Sequence, residues 1–306
     1  MVSLVDIVGV GALNWDLLLK VGRLAGSGEE IVVKNVEEEA GGSAANTIAG
    51  LGRLGVSCGF IGRVGSDEAG QKIIDAFKAD SVDTSMVIRS VGRSGTVYSF
   101  VDDSGERTMY VDPGVNDAFQ IEDLDPAYLS SARMVHVSSF AGASAFSAVK
   151  RIPEFLGDSA LSFSPGFLSA RGIDSLRPLI DRCSILFLNE KEAQALAGRD
   201  VNRAAEKLHK LGGATVAVTL GEKGAVVCGK EGVQRTPGFK VPVVDTTGAG
   251  DAFSAGFLFG VLKGYSSAAC AKVGNFVASL CVQRMGARSG IPDAAELAAF
   301  EEKDLS

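Results

Sequence analysis

Short apolar runs rich in valine and isoleucine recur through the chain at residues 4–10, 58–64, 134–137, 160–163, 185–188 and 215–218. None shows polar alternation, so each reads as a strand covered on both faces. Helical patterns separate the runs at 43–54, 70–79, 145–155 and 201–211. Strand and helix taking turns in this way predict βαβ units, whose crossovers impose a mainly parallel sheet with helices on both sides.

Two segments break that rhythm. In 29–39, Ile31, Val33 and Val36 interleave with charge; in 96–111, Tyr98 and Phe100 share a face before the turn Asp102-Asp103-Ser104-Gly105, and the chain returns through Arg107, Met109 and Val111. Half-buried strands of this kind suit a small sheet of their own. With 306 residues, no internal repeat and no domain-sized linker, the expectation is one α/β domain over 1–306. The small sheet would be its lid, inserted as two segments at about 12–40 and about 92–113.

Composition removes whole classes of function. The chain is 46% hydrophobic and 22% charged, which excludes a disordered polymer. Its net charge of −7, without a run of lysine or arginine, argues against nucleic acid as partner. The start, Met1-Val2-Ser3-Leu4-Val5-Asp6, carries no cationic leader, and no stretch is long and apolar enough for a membrane span, so a cytoplasmic location is expected. Five scattered cysteines, Cys58, Cys183, Cys228, Cys270 and Cys281, read as buried hydrophobes of a reducing compartment. Only His136 and His209 could serve an imidazole-based centre, so the chemistry falls to carboxylates, backbone amides, lysine and arginine.

One turn concentrates those groups. Asp245-Thr246-Thr247-Gly248-Ala249-Gly250-Asp251 follows an extended Val-Pro-Val-Val segment and leads into an apolar helix reaching about Lys263, with a second helix over 266–281. A glycine-rich turn at a helix start leaves several N–H groups unpaired at the positive end of the dipole, which is an anion site. Two other phosphate motifs fail. Gly9-Val10-Gly11-Ala12-Leu13-Asn14 lacks the third glycine of a dinucleotide fingerprint, and Gly224 to Glu231 has P-loop spacing but places Glu231 where a hydroxyl must hold magnesium, so it reads as a hairpin.

The segment 245–251, continued by Ala255-Gly256-Phe257-Leu258, resembles the C-terminal signature of the PfkB (ribokinase-like) carbohydrate kinases. Gly41-Gly42-Ser43-Ala44-Ala45-Asn46, with Gly55 and Gly65, resembles the N-terminal one, although Ile48 stands where a small residue is usual; Gly65-Ser66-Asp67-Glu68-Ala69-Gly70 matches the family's Gly-x-Asp-x-x-Gly turn. The resemblance runs from about Leu4 to Pro292. It implies a ribokinase-like three-layer αβα sandwich with a small β-sheet lid, and ATP- and Mg²⁺-dependent phosphorylation of a hydroxymethyl group on a sugar or sugar-like acceptor.

A kinase acting on an alcohol must align the hydroxyl, stabilise spread negative charge and accept a proton. By the resemblance, Asp251 is the general base and the Gly248, Ala249 and Gly250 amides line the anion hole; read alone, Asp251 could be an ordinary first-turn carboxylate. Asn189 and Glu192 match the family's Asn-x-x-Glu motif beside Mg²⁺ and the phosphates, with a plain helix cap as the competing reading. Thr219, Gly221 and Gly224 match the nucleotide loop, and Asn275 a polar nucleotide contact. Asn14, Asp16, Gly42 and Asn46 match positions that bind acceptor hydroxyls. Asp245, Thr247, Cys281, Arg284, Gly286 and Gly290 match positions around a monovalent cation such as K⁺.

Two departures separate this chain from ribokinase proper. Ser43 stands where many ribokinases carry lysine after the Gly-Gly pair, and Val137-Ser138-Ser139-Phe140 offers no counterpart to their acceptor-site glutamate. A nucleoside acceptor is therefore the alternative, with Trp15, Tyr98 and Phe100 either stacking on a base or packing the lid; Arg107 is the guanidinium available for a phosphosugar. A non-catalytic nucleotide- or sugar-binding protein is the third reading. Exposed lid edges imply pairing with a second copy.

Overall fold

The computed structural model describes residues 5–104 and 107–305. Its main sheet is built from β1 (Ile7–Val10), β4 (Cys58–Gly65), β5 (Val82–Asp83), β6 (Val87–Ser90), β9 (Met134–Ser138), β10 (Ala160–Ser164), β11 (Ile185–Asn189), β12 (Thr215–Thr219), β13 (Ala225–Gly229) and β14 (Gly232–Thr236). The strand order is β14-β13-β12-β11-β10-β9-β1-β4-β5, with β6 also against β4. Every pairing is parallel except β12 with β13 and β13 with β14, the hairpin expected near Gly224.

Alternate residues of the central strands feed two separate cores, which is why these runs are apolar throughout. Val8, Val135, Leu186 and Val216 face one core, together with helices α3 (Pro126–Ser131), α4 (Ala143–Val149), α5 (Ile173–Ile180), α6 (Glu190–Ala197) and α7 (Val201–Gly212). Ile7, Phe60, Phe187 and Ala217 face the other, with α1 (Ser43–Arg53), α2 (Glu68–Ala79), α8 (Ala249–Leu262), α9 (Ser267–Cys281) and α10 (Ala294–Asp304). Three layers result.

A second sheet has the order β3-β2-β7-β8, with β2 (Asn14–Val21), β3 (Val33–Gly41), β7 (Gly95–Val101) and β8 (Arg107–Asp112). Its register aligns Asp16 with Glu39 on one side and Val97 on the other, and Val97 in turn with Val111. One face therefore carries Asn14, Asp16, Leu18, Glu39, Val97, Arg107 and Met109, while Trp15, Leu17, Glu38, Tyr98, Phe100 and Tyr110 share the opposite face.

The sequence reading differs in places. The strand over 14–21 escaped it because Leu17, Leu18 and Leu19 run together without alternation. The strand expected over 29–39 begins at Val33 and runs to Gly41. The helix expected over 145–155 ends at Val149 and resumes as a 3₁₀ turn, Ile152–Phe155, since Pro153 cannot donate the helical hydrogen bond. Leu4 and Gly105 lie outside the described residues.

Candidate active site

The carboxyl ends of the parallel strands, the start of α8 and one face of the second sheet meet around Asp251. Gly248 caps α8 with φ of 71°, and a Cβ there would lie 2.6 Å from the Cβ of Ala287, so both the backbone conformation and the packing demand glycine. The Ala249 N–H turns back to the Thr246 carbonyl at 3.3 Å, the Gly250 and Asp251 amides open the first turn, and a Cβ on Gly250 would meet nothing within 4 Å. An anion can approach that backbone closely.

Asp251 is held from α1. Its Oδ1 accepts from Ser43 Oγ at 2.8 Å and its Oδ2 from Asn46 Nδ2 at 3.0 Å. Burial pushes its carboxyl up to about 6, the two hydrogen bonds and the Arg288 charge acting in the opposite direction. Such a group is ionised at neutral pH and still basic enough to accept a proton. The start of α1 is fixed in turn by Ser138, whose Oγ accepts from the Ala44 N–H at 2.9 Å.

Asp16 faces the same space from β2. Burial, then repulsion from Glu39, raises its carboxyl to about 7, and its Oδ1 has no hydrogen-bond partner. An orphaned buried acceptor costs about 1–3 kcal/mol, which a hydroxyl-bearing ligand would recover. Asn14 Oδ1 accepts from Asn116 Nδ2 at 3.0 Å, so its orientation is set by the 3₁₀ turn at 114–118. Gly41 and Gly42 join this sheet to α1: the Asp16 carboxylate fills the place of a Gly41 side chain, and Gly42 has φ of 108° with the Ala12 carbonyl against it.

Beside Asp251, a 160 Å³ cavity is lined by Asn189, Glu192, Thr219 and Gly250. Asn189 and Glu192 form a reciprocal capping box at the start of α6, with Asn189 N–H donating to Glu192 Oε2 at 3.0 Å and Glu192 N–H to Asn189 Oδ1 at 2.9 Å. The competing cap reading is thus realised, yet Glu192 also presses its negative charge on Asp251, and burial raises its own carboxyl. A 360 Å³ cavity continues from Thr219 and Gly250 past Gly221, Gly224, Phe239, Val243 and Asn275. It is a largely apolar slot of the kind that takes a planar heterocycle. Asn275 donates to the carbonyls of Thr236 and Pro237 at 3.2 and 3.0 Å, so its amide braces the wall it lines. The larger cleft of 710 Å³, around Arg182, Gly213 and Lys230, holds none of the expected residues and lies at the other end of the strands.

The 281–290 turn locks onto the anion loop. Asp245 Oδ2 accepts from the Gly286 N–H at 2.9 Å, its Oδ1 accepts from Thr247 N–H and Oγ1, and Cys281 Sγ donates to the carbonyls of Thr247 and Ala287. A Cβ on Gly290 would crowd the carbonyls of Leu280 and Cys281. Carbonyl oxygens thus line this turn, whereas the Arg284 guanidinium is exposed and donates to the Ser289 carbonyl at 3.1 Å.

Several working residues were not anticipated. Ser43, which departs from the ribokinase pattern, holds the Asp251 carboxylate; Arg288, buried, donates from Nε to Asn46 Oδ1 at 2.9 Å; Glu39 accepts from the Ala287 N–H at 2.7 Å and ties β3 to the 281–290 turn. Ser43 sits inside the Gly-Gly-Ser-Ala-Ala-Asn motif and was legible there, but nothing local in the sequence marks Arg288 or Glu39. The aromatic stacking considered for Trp15 and Tyr98 is not what the register allows. They occupy the face opposite Asp16, where Trp15 Nε1 donates to Glu38 and Lys72 lies over the indole. His136 is buried against Ser162 and Phe187.

A buried, basic carboxylate at a glycine-opened helix start, between an apolar slot and a face of short polar side chains, defines a phosphotransferase of the alcohol-kinase class. Residues 5–294 match the pfkB family of carbohydrate kinases, and the chain belongs to that family. It is 40% identical over 247 residues to an uncharacterized sugar kinase of Archaeoglobus fulgidus, covering 79% of this chain and 98% of the relative. It is 34% identical to an ATP-dependent ribose-1-phosphate kinase of Halopiger xanaduensis, with 97% and 98% coverage. Among solved structures, Arabidopsis thaliana ribokinase in complex with ribose and ATP superimposes with a TM-score of 0.84 at 28% identity, covering 97% of this chain and 99% of that one.

Proposed function

We propose that the protein transfers the γ-phosphate of ATP to a hydroxymethyl group of a sugar or sugar-like acceptor, with Asp251 as general base. The observation that carries this reading is the Asp251 carboxylate, held by Ser43 and Asn46 at the open first turn of α8. The nucleotide occupies the slot from Gly221 to Asn275, and its terminal phosphate meets the Gly248–Asp251 amides. The acceptor lies against Asn14, Asp16, Gly42 and Asn46, its hydroxymethyl oxygen giving a proton to Asp251 as the bond to phosphorus forms.

Glu192 and Asn189 fit Mg²⁺ through their oxygen donors beside the phosphate cavity, where the ion would neutralise developing charge. The carbonyl-lined turn formed with Thr247, Cys281 and Gly290 fits a K⁺ ion that steadies the anion loop. The second sheet is read as the lid, hinged at Gly41-Gly42, and the five buried free thiols suit a reducing cytoplasm.

A phosphosugar acceptor has a specific observation in its favour. Arg107, on the Asp16 face of the lid, donates to Thr247 Oγ1 at 2.6 Å across the cleft, and its charge acts on Asp16. The Halopiger relative is named for ribose 1-phosphate, which such a guanidinium would recognise. An ADP-release screen of pentoses, hexoses, phosphosugars and nucleosides, with and without K⁺, tests the reading. At least one sugar or phosphosugar is expected to turn over, and Asp251→Asn to lower kcat by at least ~10²-fold with ATP still bound. Turnover by Asp251→Asn close to that of the unaltered protein would remove Asp251 from the role.

A further inference from the structure

Arg288 lies beneath the site with 5% of its surface exposed. Its Nε–H donates to Asn46 Oδ1 at 2.9 Å, and Asn46 Nδ2 donates to Asp251 Oδ2 at 3.0 Å. A side-chain amide has one accepting and one donating end, so filling the accepting end decides where the donating end points. We propose that Arg288 is a positioning residue: by occupying Oδ1 of Asn46 it obliges that amide to present Nδ2 to Asp251, which fixes one carboxylate oxygen and leaves the base aimed at the acceptor. The inference rests on the assignment of Asp251 as base made above.

The surroundings favour this directional role over a simple buried ion pair. The closest carboxylate, Asp80, is 3.9 Å from Arg288 Nη1, and neither η nitrogen has a hydrogen-bond partner. Among the described residues, the bond to Asn46 is thus the one side-chain hydrogen bond made by this guanidinium. Arg288 is held in place by other means: Phe77 packs with its ring centroid 5.4 Å from Cζ, and the Arg288 carbonyl accepts from Arg53 Nη1. Arg53 is anchored by Asp80, whose Oδ1 accepts from Arg53 Nε at 2.6 Å. Asn46 and Arg53 both belong to α1, seven residues or about two turns apart, so one helix carries both ends of the chain of contacts that terminates on the base.

Burial of an incompletely paired cation is costly, and burial indeed weakens the hold of Arg288 on its proton. Charged groups face Asp251 from α6, β2 and the 281–290 turn. Glu192 on α6 and Asp16 on β2 repel its negative charge, the Cys281 thiol on α9 is neutral, and Arg288 opposes the two carboxylates.

Glutamine supplies a sharp test because its Nε2 can occupy the position of arginine Nε while carrying no charge. With the acceptor found in the screen, Arg288→Met should lower kcat at least ~10-fold with KM for ATP within about twofold, whereas Arg288→Gln should stay within about threefold of the unaltered enzyme. In an Asn46→Ala background, Arg288→Met should have less than about a threefold further effect, since the residue through which it acts is gone. Equal losses for methionine and glutamine, or multiplicative losses in the Asn46→Ala background, would overturn the proposal.

A second readout does not depend on turnover. In protein labelled with ¹⁵N-asparagine, Arg288→Met should move the Asn46 side-chain amide resonance to the position it takes in Asp251→Ala, and Arg288→Gln should leave it in place. A resonance unmoved in Arg288→Met sinks the positioning role, whether or not Asp251 proves to be the base. Arg288→Leu, carried in parallel, keeps the test open should the methionine variant misfold.

Discussion

Asp16 and Asp251 trade stability for chemistry. Their carboxyls stand at about 7 and about 6, above the 3.8 of a solvated aspartate, because folding removes both from water. At these two sites the folded chain therefore binds more protons than the unfolded chain between about pH 4 and 7, and their contribution to stability falls as pH rises through that window, while the buried His136, pushed down to about 3, acts in the opposite sense up to about pH 6.5. Asp16→Asn should raise Tm at pH 7.5 more than at pH 5.5, relative to the unaltered protein, while weakening acceptor binding. A scan of Tm against pH checks it, and a slope unchanged by Asp16→Asn would contradict the assignment. Turnover should run in the opposite sense and fall below about pH 6, as Asp251 takes up a proton. That Asp251 and Asp16 belong to a site was legible from their motifs. Their shared burial was not, because it depends on the packing of β2 and of the start of α8 around one cleft, elements more than two hundred residues apart in the chain.

At the scale of elements, the parallel strands were readable because covering both faces selects unbroken apolar runs. The strand over 14–21 was less so: its pleat has one face on the cleft and the other over α2, and both accept leucine. The start of α8 shows where glycine is required and where it is only open. Gly248 combines φ of 71° with Ala287 2.6 Å from any added Cβ, while Gly250 has free space on that side. Gly248→Ala should lower Tm by several degrees and kcat at least ~10-fold, whereas Gly250→Ala should leave Tm within a degree or two. Paired melting curves and kinetics decide it; equal Tm for both variants would show that the loop relaxes around a left-handed alanine.

For the whole molecule, the second sheet is joined to α1 at Gly41-Gly42 and meets the turns flanking α8 and α9 where Glu39 holds Ala287 and Arg107 holds Thr247. The second sheet leaves Val36, Met109, Tyr110 and Val111 at least half exposed on its two edge strands. Edges of that composition favour pairing with a second copy. Light scattering after gel filtration should give twice the chain mass, and Val36→Lys with Tyr110→Lys should return it to the monomer; a monomer before substitution would end that expectation. The sequence by itself determined the layered α/β class, the kinase family and the glycine-opened turn ahead of Asp251, because strand burial and the φ-positive turn are local demands that select residue types directly. Only the tertiary structure decided what holds the Asp251 carboxylate and how strongly it binds its proton. Ser43, Asn46, Arg288 and Asp16 act through distances and desolvation, and these are set by elements more than two hundred residues apart.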